Sequence, residues 1–239
     1  MADQAVERQS ACLFVLWSEP VDGTRHVIGR LWREHRDFSF GYVPEVDAVM
    51  KRGFELLPEF PEQRLLSEPY CSPYLFSTFA QRIPSPSRPD YARILHSWGV
   101  KQGDDPLEIL RLSGGIQVTD RLELAEYRAE SDTLSSPLVF RVAGEKRCPG
   151  GDLLKPGDPV VLKREAGNEF DPNATLVLLR GGERVGYVPR QYSKMMARLL
   201  DAGYPLEAVA LRRLVVPPER GRWQIRVRCP SRRAPRAIN

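Results

Sequence analysis

Between residues 139 and 229, six runs of strand length recur between turn signals, and only one segment carries the spacing of an amphipathic helix. The runs are 139–142, 159–164, 174–179, 185–188, 207–215 and 223–229; the helix is expected over 190–202, stopped by Gly203. Short strands at such intervals point to a small barrel or sandwich, with Met195, Met196, Leu199 and Leu200 as core residues of the helix. The last run is the most regular. Trp223, Ile225, Val227 and Cys229 fall on one face at period two, and Arg222, Gln224, Arg226 and Arg228 on the other. That row of arginines is either a phosphate-binding ridge or a solvated edge guarded against strand addition.

The front of the chain reads differently. Residues 12–17 (CLFVLW) form an apolar run of strand length, and 27–32 (VIGRLW) follow a turn at Gly23 as a hairpin partner. Residues 38–42 (FSFGY) place Phe38, Phe40 and Tyr42 on one face, which predicts core packing. Two helices follow, one over 89–98 stopped by Gly99. The other opens on Asp105 as N-cap with Pro106 at the first helical position and Glu108 three residues after the cap, and closes at Gly114. Strands followed by helices predict an α+β domain. The polar, serine-rich stretch 129–137 reads as a linker, which divides the chain into a domain at 1–128, a barrel at 138–230 and a basic tail at 231–239.

Charge divides at the same place. Residues 1–138 hold 15 Lys and Arg against 21 Asp and Glu, a net of −6; residues 139–239 hold 20 against 10, a net of +10. A basic domain concentrates anions, and nucleic acid is its usual partner. Four scattered cysteines and three scattered histidines give no closely spaced ligand pair, so a reduced chain without metal or cofactor is expected. Ten acids in the basic half are few for the clustered carboxylates of a metal-dependent nuclease, and a non-catalytic protein is expected. No apolar run reaches membrane-spanning length and the first residues carry no signal-peptide pattern, so the expected location is the cytoplasm.

The densest motif runs from Val161 to Val177. A strand ends on Lys163-Arg164, a turn of Asn168-Glu169-Phe170-Asp171-Pro172-Asn173 follows, and a second strand begins at once. Asn, Asp and Pro are ordinary turn formers; Phe170 is not. A large aromatic there is either an anchor into the core or a platform for a nucleobase, and Asp171 beside it can accept a hydrogen bond from a terminal hydroxyl.

The pattern L-K-R-E-x-x-N-E-F-D-P-N-A over 162–174, followed by Gly186-Tyr187-Val188-Pro189 and a helix, resembles the HIRAN domain, known from fork-remodelling helicase-like enzymes and from freestanding bacterial copies. The likeness spans 139–217. It implies an OB-like β-barrel with one main helix that captures the 3′-hydroxyl end of single-stranded DNA. By position, it implies that Phe170 stacks on the terminal base, Asp171 accepts from the 3′-hydroxyl, Tyr187 and Arg190 hold the sugar-phosphate, and Lys146 meets a phosphate. Arg147 stands where the end-binding members carry a second aromatic, and a guanidinium can also stack on a base. Arg164 and Arg226 complete the expected DNA-binding set.

The front half has its own resemblance. Gly29-Arg-Leu-Trp32, Phe38-Ser-Phe-Gly-Tyr-Val-Pro-Glu45 and Leu107-Glu-Ile-Leu-Arg-Leu-Ser-Gly-Gly115 look like the N-terminal subdomain of HipA-type toxin kinases, over residues 13–124. That likeness implies a docking unit for such a kinase. Together the two imply a bacterial adaptor that holds DNA with one end and a protein with the other, in a toxin–antitoxin or phage-defence setting. The alternative is an antitoxin-like inhibitor of the kinase that binds no DNA.

Overall fold

The computed structural model describes residues 12–117, 119–128, 136–214 and 222–230. The expected basic tail, all of the expected linker except Ser136 and Pro137, and the side chains of Lys146 and Arg222 lie outside the described residues. The chain divides into two compact units, 1–127 and 128–239.

The first unit is built on a five-stranded antiparallel sheet. Its strands are β1 (Cys12–Ser18), β2 (Arg25–Glu34), β3 (Asp37–Tyr42), β4 (Tyr70–Ser72) and β5 (Leu122–Glu126), in the order β4-β3-β2-β1-β5. Alternation along β1 drives Leu13, Val15 and Trp17 into one core, where they meet Phe40, Phe60 and Phe79. Phe38, Phe40 and Tyr42 are buried there as their spacing predicts. Tyr42 also carries its polar end inward safely: its hydroxyl donates to the Phe60 carbonyl (3.0 Å) and accepts from the Leu57 N–H (2.9 Å). Burial pushes that phenol up to about 12.

Four helices are short: α1 (Val46–Met50), α2 (Ser77–Ala80), α3 (Tyr91–Trp98) and α4 (Pro106–Ser113). In α4, Asp105 Oδ1 accepts from the Leu107 N–H at 2.8 Å, and Gly114 ends the helix at φ 80°. Both are the punctuation the sequence carries. The unit is nonetheless mostly sheet. Strands do not simply precede helices, because β5 returns after α4 to pair with β1 from Leu13–Glu126 to Trp17–Leu122.

The second unit is a curled antiparallel sheet of six strands: β6 (Leu138–Arg141), β7 (Pro159–Arg164), β8 (Thr175–Leu179), β9 (Arg184–Tyr187), β10 (Glu207–Leu214) and β11 (Arg222–Arg228). Their order is β6-β11-β10-β7-β8-β9. The two outer strands come together where Ala143, just beyond β6, exchanges backbone hydrogen bonds with Tyr187 of β9 (2.9 and 2.8 Å). The barrel is therefore half closed, at one bridge. Trp223, Ile225 and Val227 face its core as their alternation predicts. On the opposite face Gln224 is buried, and β11 is no edge, since β10 and β6 flank it. The reading of its arginines as edge protection is thereby corrected.

Among its described residues the unit holds one four-residue helix, α5 (Gly150–Leu153), and one long one, α6 (Arg190–Asp201). Tyr192, Met195, Met196 and Leu199 form the buried stripe of α6, the i, i+3, i+4, i+7 spacing of an amphipathic helix. Its placement follows from two tethers. The Val188 N–H, just before the helix, bonds to the Thr175 carbonyl at 2.9 Å, and Asp201 at its end pairs with Arg164 at 3.1 Å. Thr175 and Arg164 are themselves cross-strand partners. The helix, about 18 Å long at 1.5 Å per residue, thus crosses the ends of β9, β8 and β7. No described helix is long and apolar enough to cross a membrane.

Candidate nucleic-acid interface

The loop between β7 and β8 is held by its own polar side chains. Asn168 Oδ1 accepts from the N–H groups of Phe170 and Asp171, both at 3.0 Å. Asp171 Oδ1 accepts from the Asn173 N–H at 2.8 Å, an Asx turn of the kind these residues favour. On this fixed backbone the Phe170 side chain stands 85% exposed. It is not a core anchor. Asp171 is half-buried, with one carboxylate oxygen spent on the turn.

Glu165 ties this loop to β9. Its Oε2 accepts from Asn168 Nδ2 (2.7 Å) and from the Tyr187 hydroxyl (3.0 Å), and its Oε1 pairs with Arg184 (3.0 Å). The Arg184 guanidinium also lies 5.3 Å from the centre of the Tyr187 ring. A 3-10 turn, Glu145–Arg147, follows the bridge at Ala143, and a Cβ placed on Gly144 would lie 3.5 Å from the Tyr187 ring. The loop, the end of β9 and this turn therefore form one continuous surface, which carries Phe170, Asp171, Tyr187 and Arg147. Arg147 is exposed on it, and Arg190 is exposed at the first residue of α6, three residues beyond Tyr187.

Two expected residues stand apart from that group. Every nitrogen of the Arg164 guanidinium is engaged within the protein: Nε with Asp201, Nη1 with the Ala174 carbonyl (3.0 Å) and Nη2 with the Pro172 carbonyl (3.1 Å). Arg164 positions the loop instead of waiting for a phosphate. Arg226 is exposed on the outward face of β11, opposite Val139 and Val209, and no hydrogen bond joins it to the loop among the described residues. Sequence reasoning passed over Glu165, Asn168 and Arg184. The first two stand three residues apart within the dense motif, but turn chemistry alone accounts for that spacing; the bond from Tyr187 to Glu165 crosses 22 residues.

The charge of the surface follows from pairing. Five of the nine described acids of this unit are in ion pairs, Glu145 and Asp152 with Arg213, Glu165 with Arg184, Asp201 with Arg164, and Glu207 with Arg228, while Asp158, Glu169, Asp171 and Glu183 are not. Arg147, Lys163, Arg190, Lys194 and Arg226 are exposed and enter no ion pair among the described residues. A net positive field is left over for an anionic partner.

Glu165 is also where pH acts. The Asn168 amide, with help from the Tyr187 hydroxyl and Arg184, holds its carboxyl below the ordinary 4.5, against a smaller opposing effect of burial. Burial and the bond to Glu165 in turn raise the Tyr187 phenol above 10. A depressed carboxyl stabilises the fold above its unfolded value and ceases to as pH falls through the folded one. The amide resonances of Asn168, Phe170 and Tyr187 are therefore expected to hold steady from neutral pH to 4.5 and to shift together only below it. In Glu165→Gln that joint transition should vanish; its survival would assign the transition to another group.

Residues 137–227 match the HIRAN domain family model. Two solved structures resemble the chain. The HIRAN domain of human HLTF is 21% identical over 40% of this chain and 75% of its own, with a TM-score of 0.34. A protein from Lactobacillus plantarum is 24% identical over 38% of this chain and 98% of its own, with a TM-score of 0.29. No curated protein matches the chain.

Proposed function

Residues 137–227 are a HIRAN domain, which implies DNA binding, and from that premise we propose that the chain captures the 3′-hydroxyl end of a single strand without cutting it. The observation that carries the reading is Phe170: a phenylalanine 85% exposed in a loop whose backbone is fixed by Asn168 and Asp171. A ring so exposed leaves its faces open to a flat partner. A terminal base stacks on Phe170, and the second carboxylate oxygen of Asp171 accepts from the 3′-hydroxyl next to it. Tyr187 lends its ring, since its hydroxyl proton is given to Glu165. Arg147 and Arg190 take the phosphates that lead away.

Fluorescence anisotropy with short oligonucleotides tests this. Stacking on one aromatic contributes about 1–3 kcal/mol, so Phe170→Ala should weaken binding by roughly 5- to 150-fold, and Phe170→Trp should restore it. Wild type should prefer a 3′-hydroxyl to a 3′-phosphate end, whose charge Asp171 repels, and Asp171→Asn should erase that preference. Wild-type affinity in both Phe170→Ala and Asp171→Ala, or no binding by the wild type at low salt, would reject the reading.

A further inference from the structure

The solvent face of α6 is mostly cationic. Its exposed residues are Arg190, Lys194, Arg198 and Asp201, and Asp201 is already paired with Arg164. Positions 190, 194 and 198 follow one another at i, i+4 and i+8, which sets three cations in a stripe with about 6 Å of rise between neighbours. An amphipathic helix needs only a polar outer face to stay soluble; it does not need one free of unpaired acids. The stripe begins next to Tyr187 and runs across the ends of β9, β8 and β7, alongside the loop that carries Phe170.

We infer that this face of α6 is a phosphate track, along which the strand leaves the terminal-nucleotide site, with Lys194 and Arg198 meeting phosphates beyond the one at Arg190. The inference rests on the proposed DNA reading and extends it from one captured nucleotide to a footprint of several. A side chain every fourth residue presents charge at a spacing an extended strand can follow, and contacts of this kind carry no base preference.

The test is a length series of oligothymidylates with 3′-hydroxyl ends, from two to eight nucleotides, titrated at several salt concentrations against wild type, Lys194→Glu and Lys194→Glu/Arg198→Glu. Each phosphate contact on a single strand adds a slope of about 0.7 to the salt dependence, equal to about eightfold in affinity between about 1 M and about 50 mM salt. Wild-type affinity should climb with length and then level off. Lys194→Glu should lose about tenfold on the longer strands with a shallower salt slope, and the double variant more, while both bind the dinucleotide as wild type does. Equal loss at every length, or an unchanged length dependence, would overturn the track while leaving the terminal site standing. If the wild type binds none of the strands, the DNA reading itself falls and takes the track with it.

Discussion

Gly186→Ala is expected to destabilise the second unit by about 2–6 kcal/mol, combining about 1–3 for an enforced clash and about 1–3 for an unfavourable backbone angle. Gly186 has a φ of 153°, and a Cβ there would lie 2.4 Å from the Ala143 carbonyl oxygen and 2.4 Å from Val142 Cγ1. The first of those atoms belongs to backbone, so no side-chain rotation relieves the contact. It is also the carbonyl that accepts the Tyr187 N–H at 2.8 Å, one of the two bonds that bring the outer strands together. The added methyl group must push apart the only bridge among the described residues that joins the edge of β9 to the segment after β6.

Calorimetric melting of the full chain reads the outcome. At about 4–8 °C per kcal/mol for a unit of this size, the transition of the second unit should fall by about 8 °C or more. Amide exchange adds a local readout: the protection of the Ala143 and Tyr187 N–H groups should collapse in the variant even at temperatures where the rest of the sheet is folded. A melt within about 1 kcal/mol of wild type would mean that the two edges separate at little cost, and that Tyr187 is not held by the bridge. The glycine of the Gly-Tyr-Val-Pro run thus has a reason that owes nothing to DNA. Its missing side chain lets β9 approach, and the residue after it reaches the surface.

How much of this could be read from the sequence depended on how local each cause was. Strand alternation is local, so the core face of Trp223, Ile225 and Val227 and that of Phe38, Phe40 and Tyr42 were visible as period-two patterns. The start and stop of α4 were visible for the same reason, since Asp105, Pro106 and Gly114 act within one turn. Non-local causes were not. Leu-Glu-Leu-Ala-Glu at 122–126 is made of good helix formers, yet it is a strand because β1 offers it an edge from Leu13 to Trp17. Gln224 falls on the polar side of its strand but is buried, and Arg212 Nε, from the neighbouring strand, bonds to its amide oxygen at 2.8 Å. The candidate surface divides in the same way. Phe170 announces itself by standing in a turn, whereas the use of Arg164 by Asp201, 37 residues later, depends on where α6 comes to rest.

Glu145→Ala should cost about 2–4 kcal/mol and loosen the turn that carries Arg147, whereas Glu145→Gln should cost about 1 kcal/mol or less. Glu145 is a buried carboxylate at the start of that turn. One oxygen accepts the buried N–H of Trp223 at 2.9 Å, and the other meets Arg213 at 3.0 Å. Alanine leaves the Trp223 donor without a partner in the core, and an orphaned buried donor costs about 1–3 kcal/mol before the emptied volume is counted. Glutamine keeps an acceptor in place. It forfeits the ion pair with Arg213, but that guanidinium is 42% exposed and keeps Asp152 at 2.9 Å. It also removes a charge that the site holds at a cost, since burial raises the Glu145 carboxyl above its ordinary value against the opposing pull of Trp223 and Arg213. A raised carboxyl favours the fold at low pH and loses that contribution as pH rises through the shifted range, the reverse of Glu165. Relative to wild type, Glu145→Gln should therefore be more stable at neutral pH than at pH 4. Equal destabilisation by both substitutions would show that the charge, and not the hydrogen bond to Trp223, fixes the turn beside Tyr187.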